Sequence, residues 1–294
     1  MIIDMSNEVK EAISEAKPIV ALETAVFTHG LKYPTNVKCY HEMKDAVTSN
    51  GAVPAFIGIL NGKVKIGMND NEIEDFCKNG SSYKKAGYRE IPYLLTNNLN
   101  GGTTVSATTY IASFVGIRVM ATGGIGGVHR EKIDISQDID TLSRIRMVVV
   151  CSGFKSILDV DKTLEYLEYR DVMLVGYKTE ELPVFYYNNS GYKVEKVQSP
   201  SEISSIYRNM VRLAYESSIV VANPSPSTVN KEKLENYMNT IEKEIIKKGI
   251  SGKGVTPYLL GRLGELSEGK TIEVNLELLK NNAALGAKIA KELV

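Results

Sequence analysis

A lysine that follows an apolar segment is the residue of this sequence best suited to nucleophilic chemistry. Lys155 comes shortly after the apolar run 147–151 and the small residues Ser152 and Gly153. Such a lysine can bind an anion as a point charge. When partly desolvated, it can instead attack a carbonyl carbon and form a Schiff base. On composition alone, a structural salt bridge is the most common role for such a lysine.

Proton-transferring groups follow other apolar runs. Glu23 comes directly after the run 18–22, where it is a candidate acid or base, although a solvated loop carboxylate is the more common role for such a residue. His129 follows the glycine-rich segment after the run 117–121. Because parallel strands deliver their carboxyl ends to one edge of a sheet, we predict one pocket that holds Lys155, His129 and the carboxylates of the DISQD segment.

The elements that must position these groups alternate between strand and helix patterns. Apolar runs of strand length are predicted as buried strands, and the Asn61-Gly62 pair between two of them predicts a hairpin. Helices are predicted at 156–169 and 201–217, among other places. The sequence therefore predicts an α/β fold, with residues 1–294 forming a single domain. Its sheet would be mixed and largely parallel, with helices on both faces.

Charge and cysteine content limit the partners. The 35 basic residues balance the 35 acidic residues, which argues against a surface dedicated to nucleic acid. The three cysteines lack CxxC spacing, which favours a reducing compartment over a disulfide framework. No apolar run approaches the roughly 18 residues that span a bilayer, and the N-terminal segment lacks the apolar core of a signal peptide. We expect a cytoplasmic protein without membrane or nucleic-acid partners.

Short polar and glycine-rich segments suggest binding sites. Two lysines and an arginine within 84–89 could hold a phosphate, although a solvated charged face is the more common interpretation. Thr103 and Thr104 open a predicted helix, where they could bind a polar ligand or simply cap the helix. The segment GGIGG lacks the spacing of a dinucleotide-binding loop, and we reject that interpretation.

A series of segments carries a resemblance to a known family. In chain order they are ALETAVFTHGLKYPTN, GGTTVSATTYIA, ATGGIGGVHR, DISQDI, CSGFKSILDVDKTLEYLE, ANPSP and NNAALGAKIA. Together they resemble the pseudouridine-5'-phosphate glycosidase family, also described as pseudouridylate synthases or indigoidine synthase A-like proteins. The resemblance extends over nearly the whole chain, from about Pro18 to Ala290.

The resemblance implies the reversible cleavage of pseudouridine 5'-phosphate to uracil and ribose 5-phosphate, through a lysine Schiff base with the ring-opened ribose. The nucleophile corresponds to Lys155 and the acid/base carboxylate to Glu23. His129 corresponds to the active-site histidine, with a role in proton transfer or orientation. The resemblance also implies a homotrimer with one divalent cation per subunit, Mn²⁺, which Asp138 would hold largely through water.

The resemblance further implies which residues bind the substrate. The expected residues are Lys85, Thr122 and Ser136 for the phosphate, and Thr104, the backbone of Val105 and Asn281 for the uracil. An asparagine amide suits uracil because it can donate to a ring carbonyl while it accepts from a ring N–H.

The sequence departs from the family pattern in two loops. Only Glu131, Lys132 and Ile133 separate Arg130 from Asp134, where family members usually carry a longer insert. The basic segment at 84–88 also differs from the usual serine and arginine pattern. Both departures concern the expected metal and phosphate region and leave the nucleophile unchanged.

Two other functions remain open. A different Schiff-base lyase or aldolase acting on a sugar phosphate would need the same lysine but no uracil pocket. A non-catalytic sugar-phosphate or nucleotide binding module would still bind its ligand after Lys155→Ala and would turn nothing over.

Overall fold

The computed structural model describes residues 2–130, 134–250 and 255–294, with the backbone alone at 255–257. The shortened loop Glu131–Ile133 lies outside the described residues.

The strands form one large mixed sheet and one small antiparallel pair. They are β1 (Ile3–Met5), β2 (Ile19–Glu23), β3 (Val53–Leu60), β4 (Lys63–Ile66), β5 (Lys84–Ala86), β6 (Gly101–Thr103), β7 (Val119–Ala121), β8 (Val128–His129), β9 (Val148–Cys151), β10 (Leu158–Asp159), β11 (Met173–Tyr177), β12 (Glu195–Val197) and β13 (Ile219–Ala222). The large sheet has the order β1-β4-β3-β2-β7-β9-β13-β11-β12, and β6 pairs with both β3 and β5. Within it, the run from β3 to β12 is parallel throughout, whereas β3 is antiparallel to β4 and β6. The predicted mixed, largely parallel sheet is confirmed, as is the hairpin at Asn61-Gly62.

The α-helices lie on both faces of this sheet. They are α1 (Asn7–Ser14), α2 (Thr35–Thr48), α3 (Asp70–Asn79), α4 (Ile91–Thr96), α5 (Val105–Phe114), α6 (Gln137–Leu142), α7 (Val160–Tyr169), α8 (Pro200–Arg212), α9 (Lys231–Lys248), α10 (Val255–Leu266) and α11 (Lys270–Glu292). Helix α11 packs with α2 and α8 on one face, and α5 packs with α6 on the other. Among the described residues, none of the helices is both long enough and apolar enough to cross a membrane.

Two predicted helix boundaries are wrong. The helix after Lys155 begins at Val160 instead of Ser156, because Leu158 and Asp159 pair with β8 and the Asp159 carboxylate caps the helix by accepting the Lys162 N–H at 3.1 Å. Helix α8 ends at Arg212 instead of 217. The backbone turns there, and Ala214 adopts the left-handed conformation, with a φ of 56°, which a continuing helix does not allow.

The centre of the sheet is apolar on both sides. Every residue of β2, β7, β9 and β13 is buried, as expected for parallel strands covered by helices on both faces. Gly286 lets α11 approach closely, because a Cβ at this position would lie 3.3 Å from side-chain atoms of both Val20 and Ala121. This close packing fixes α11 against the strands whose ends carry the candidate site.

Candidate active site

The candidate site lies where the parallel strands β2, β7, β9 and β13 end side by side. Neighbouring strands pair up to their last or penultimate residues. The polar residues found at these ends are Glu23, Thr122, Ser152 and Asn223. All of them are buried. The predicted gathering of strand ends is therefore present, and it places polar groups at the bottom of a cavity.

Glu23 is a buried carboxyl group, with 6% of the residue exposed. The Thr122 hydroxyl donates a short hydrogen bond to its Oε1. Burial raises the pKa of Glu23, while the positive charge of Lys155 and the hydrogen bond from Thr122 act in the opposite direction. A carboxyl group with a raised pKa suits proton transfer near neutral pH.

Lys155 extends from the loop after β9 and is partly buried. Its backbone N–H donates to the carbonyl of Ile125 at 3.3 Å, which ties this loop to the glycine-rich segment. Within the described ranges, no carboxylate forms an ion pair with Lys155. The structural salt bridge that composition left open is therefore not observed there.

A cavity of about 70 Å³ brings several predicted residues together. Its lining includes Glu23, Lys85, Thr104, Thr122 and Lys155. Lys85 belongs to the short strand β5, which pairs with β6 and so lies beside the start of α5. The structure thus brings these five predicted residues to one cavity, and their roles in binding and catalysis stay predictions.

Thr104 and Val105 form the junction between β6 and α5. Thr104 is the residue that precedes the helix, and its hydroxyl lies 3.0 Å from that of Ser106. Its backbone N–H donates to the carbonyl of Ala86 at 2.9 Å. Val105 is fully buried and does not line the cavity, so the contact of its backbone with uracil stays a prediction.

Asp138 links two backbone segments through hydrogen bonds to its carboxylate. Its Oδ1 accepts the Ser106 N–H at 2.9 Å, and its Oδ2 accepts the Gly126 N–H at 2.8 Å. The Ser136 hydroxyl in turn accepts the Asp138 N–H at 3.2 Å and caps α6. The close approach of the backbone at position 126 to the Asp138 carboxylate requires glycine, because a Cβ there would lie 2.8 Å from Asp138 Oδ2. Asp138 is 4% exposed, and neither Asp138 nor Ser136 is part of the cavity lining.

His129 ends β8, beside the loop that follows Lys155. It pairs with Leu158 across the small antiparallel sheet. Burial lowers the pKa of His129; the Asp134 charge opposes this, and the positive charges of Lys85 and Lys155 add to it. The imidazole is therefore neutral at neutral pH and able to accept a proton, although it does not line the 70 Å³ cavity.

The adjacent residues Asn281 and Asn282 on α11 have different hydrogen-bond partners. Asn282 is fully buried, and its amide nitrogen donates to the Thr122 carbonyl at 2.8 Å and to the Ser152 hydroxyl at 3.1 Å. Its oxygen accepts from Asn223 Nδ2 at 3.0 Å. Asn282 thereby links three strand ends. The predicted residue, Asn281, instead donates to the Pro224 carbonyl at 3.3 Å and is not among the residues that line the cavity.

The sequence analysis missed several residues of the cavity wall. They are His29, Phe185, Leu260, Asn275 and Leu279. His29 lies within the segment ALETAVFTHGLKYPTN, and the other four residues carry no signal beyond helical or loop patterns. A second cavity of about 650 Å³ adjoins the first and shares His29, Gly30, Leu260 and Asn275 with it. The site therefore continues from a narrow floor into a wider space.

Comparisons with known proteins place this chain in a family. The chain matches the family model described as "Indigoidine synthase A like protein" over residues 8–292. The pseudouridine-5'-phosphate glycosidase of Thermosipho africanus is 50% identical over 291 residues, covering 98% of this chain and 99% of that protein. The protein of the same name from Fervidobacterium nodosum is 45% identical over 292 residues, covering 98% of each.

Solved structures agree with the sequence comparisons. An indigoidine synthase A-like protein from Thermotoga maritima superposes with a TM-score of 0.92 at 38% identity, covering 100% of this chain and 97% of that one. The prealnumycin C-glycosynthase AlnA, in complex with ribulose 5-phosphate, superposes with a TM-score of 0.91 at 30% identity and the same coverage.

Proposed function

Because this chain belongs to the family of indigoidine synthase A-like proteins and pseudouridine-5'-phosphate glycosidases, we propose that it cleaves pseudouridine 5'-phosphate reversibly to uracil and ribose 5-phosphate. The observation that carries the proposal is the placement of Lys155 and Glu23 in one cavity, at the carboxyl edge of the sheet. The structural relative named a C-glycosynthase was solved with a pentose phosphate, which supports a sugar phosphate as the ligand class.

The proposed reaction uses Lys155 as a nucleophile on C1' of the ribose. The C1'–O4' bond breaks and O4' takes a proton, while a bond forms between Nζ and C1'. The bond from C1' to C5 of uracil then breaks. Its electron pair goes to C5, which takes a proton, and the nitrogen lone pair makes the imine to C1'. Water adds to the imine and releases ribose 5-phosphate and the free lysine. The lysine is needed because carbon is a poor leaving group and the imine provides the missing driving force.

Glu23 and His129 are the proposed proton carriers. Glu23 lies in the same cavity as Lys155 and has a raised pKa, so it can deliver a proton to O4' and take one back in the reverse direction. His129 is neutral at neutral pH, and the positive charge of Lys155 contributes to lowering its pKa. This supports a role for His129 in accepting a proton or orienting the loop. Ordinary glycosidase chemistry, with two carboxyl groups flanking an acetal oxygen, would not break a carbon–carbon bond.

Lys85 and the hydroxyls of Thr104 and Thr122 are proposed to bind the substrate. Lys85 lines the cavity and can hold the phosphate as a point charge. The Thr122 hydroxyl already donates a hydrogen bond to Glu23, and Thr122 thereby helps to position the proposed acid. Ser136, predicted for the phosphate, caps α6 and does not line the cavity, so its contact with a phosphate stays a prediction.

The Mn²⁺ ion that the resemblance implies fits Asp138 poorly. Each oxygen of this buried carboxylate already accepts a backbone N–H. The described part of the chain contains no cluster of three or more His, Cys, Asp or Glu side chains able to hold a metal ion. A directly bound cation would need several such oxygen ligands or free space for water. No step of the proposed reaction is assigned to a metal, and Mn²⁺ stays a prediction.

The proposal also covers the cellular compartment, the oligomeric state and the small-molecule partners of the enzyme. Cys39, Cys77 and Cys151 are buried free thiols, which supports a reducing compartment such as the cytoplasm. A homotrimer stays a prediction, which light scattering on the purified protein would test. Pseudouridine 5'-phosphate, uracil and ribose 5-phosphate are the proposed small-molecule partners.

The test of the proposal is chemical trapping. The protein is mixed with ribose 5-phosphate and borohydride, and the intact mass and the modified peptide are then determined. We expect one reduced pentose-phosphate adduct on Lys155, formed faster when uracil is absent. Protein that makes pseudouridine 5'-phosphate but gives no adduct would refute the imine. An adduct in protein that neither binds nor uses uracil would favour a sugar-phosphate aldolase.

A further inference from the structure

The guanidinium group of Arg130 binds the backbone that immediately follows Lys155. Its Nη2 donates to the Ser156 carbonyl at 3.3 Å, and its Nε donates to the Leu158 carbonyl at 3.4 Å. The Leu158 N–H donates to the Lys155 carbonyl at 3.0 Å, so residues 155–158 form one closed turn. Arg130 therefore holds the turn that carries the proposed nucleophile.

Helix α9 holds Arg130 from the other side. Nη1 of Arg130 donates to Glu235 Oε2 at 3.1 Å, and Nη2 donates to Glu235 Oε1 at 3.3 Å. The two side chains are 30% and 35% exposed, so the pair is partly shielded from water. An arginine that donates from two nitrogens to one carboxylate has a fixed plane as well as a fixed position. Glu235 thus sets the orientation in which Arg130 meets the turn.

The same helix belongs to the part of the fold that forms the cavity wall. Helix α9 packs against α10, and the Glu244 carboxylate accepts from Nε and Nη2 of Arg262 at 2.9 Å each. Leu260 of α10 lines both the 70 Å³ and the 650 Å³ cavity. The helices that enclose the substrate space are therefore joined to the turn of the nucleophile through Glu235 and Arg130.

The backbone of Lys155 is held on both sides. Its own N–H donates to the Ile125 carbonyl, and Arg130 binds the carbonyls that come after it. A nucleophile must approach the reacting carbon to within about 3–3.5 Å in a defined direction, and a misplacement of about 1 Å can cost about 100-fold in rate. Contacts that fix this turn therefore affect the rate of attack more than the binding of substrate.

We propose that Arg130 and Glu235 are positioning residues for Lys155, and that their ion pair holds the turn so that Nζ meets C1' of the ribose. Among the described residues that line the two cavities, neither member of the pair is found, so the pair acts through Lys155 and not on the substrate. The inference rests on the proposed function, because it assigns these roles in the same reaction.

The test uses Glu235→Gln and Arg130→Lys. Glutamine keeps the shape of Glu235 but removes the charge and one acceptor, and lysine keeps the charge of Arg130 but lacks the planar fork that reaches the carboxylate and both carbonyls. Imine formation with saturating ribose 5-phosphate is followed by borohydride quenching at timed intervals. We expect the rate constant to fall at least about tenfold in each variant and the KM for ribose 5-phosphate to change less than about twofold.

Stability and additivity distinguish positioning from a structural role. The melting temperature of Glu235→Gln should stay within a few degrees of the wild type, since a partly exposed ion pair contributes little to folding. The double variant should be no slower than the slower single variant, because both substitutions break the same linkage. The control is Asp4→Asn, which removes an ion pair of 2.6 Å with Lys65 on β4 and should leave the trapping rate unchanged.

The outcomes separate this inference from the proposed function. If the wild type gives no adduct and makes no pseudouridine 5'-phosphate, the proposed function fails. If the wild type reacts and Glu235→Gln is trapped at the same rate, the inference alone fails. It also fails if the KM for ribose 5-phosphate rises while the rate constant is unchanged, or if the rate falls only together with a large fall in melting temperature.

Discussion

The Thr122 hydroxyl donates to the Glu23 carboxyl across 99 positions of sequence. The two residues meet because β2 and β7 are adjacent parallel strands that end together. Thr122 supplies one hydrogen bond to a carboxyl group whose pKa is raised by burial. The pKa of Glu23 thus results from a balance, with burial raising it and the hydroxyl and Lys155 lowering it. This balance makes the group sensitive to pH and to substitution.

We predict that Glu23→Gln lowers kcat by about 10²- to 10⁴-fold, because glutamine has the same shape but does not transfer a proton. The same variant should gain stability over the wild type as the pH rises. Below the ordinary glutamate pKa of about 4.3, the carboxyl group is protonated in both the folded and unfolded states. At higher pH the unfolded state ionises first, because the folded pKa is raised, and wild-type stability falls.

Thermal melts between about pH 4 and pH 8 test this stability difference. The exposed Glu277→Gln on α11 is the matched control and should give melts that differ little from the wild type at any pH. If the difference in melting temperature between Glu23→Gln and the wild type stays constant across this pH range, burial does not raise the pKa of Glu23. Turnover near that of the wild type would remove Glu23 from proton transfer.

We predict that Lys155→Arg abolishes turnover and borohydride trapping while the melting temperature stays within a few degrees. Arginine keeps the positive charge but does not form an imine under these conditions, so the substitution separates anion binding from nucleophilic attack. The fold should tolerate it because no ion pair holds Lys155 among the described residues. Retained activity in Lys155→Arg would mean that the residue acts only through its charge.

The parts of the site that the sequence predicted are those that depend on local pattern. Glu23 and Lys155 follow apolar runs, and parallel strands bring such positions to one edge regardless of their separation in the chain. The start of α7 was misplaced because Ile157 and Leu158 fit a helical pattern, whereas pairing with β8 draws this segment into a strand. Long-range pairing therefore overrode the local periodicity.

The choice between neighbouring asparagines had no local signal. Each residue along a helix turns the side chain by about 100°, so a shift by one position moves it to a different face. The sequence pointed to Asn281, and the structure turns Asn282 towards the strand ends. The hydrogen bonds of Asp138 also had no local signal, because its partners are the backbone N–H groups of Ser106 and Gly126, which lie far from it in the sequence.

We predict that Asp138→Asn destabilises the protein by about 1–3 kcal/mol, because the amide nitrogen of asparagine would face a backbone N–H that now has an acceptor. Asp134→Asn, in contrast, should leave the melting temperature unchanged because Asp134 is exposed. Activity titrated with Mn²⁺ in both variants tests the metal prediction. If only Asp134→Asn needs more Mn²⁺ for activity, the cation lies at Asp134. If Asp138→Asn needs more Mn²⁺ while its melting temperature stays that of the wild type, Asp138 is the ligand of the cation.

Asn282 joins the ends of β7, β9 and β13. Replacing it with alanine removes the donors to the Thr122 carbonyl and the Ser152 hydroxyl and leaves Asn223 without its acceptor. We expect Asn282→Ala to cost about 2–4 kcal/mol, since several buried polar groups lose their partners at once. Asn281→Ala, which removes one bond of 3.3 Å at a partly buried position, should cost less than about 1 kcal/mol. Urea unfolding of both variants measures the difference, and equal losses would show that Asn282 does not hold the strand ends together.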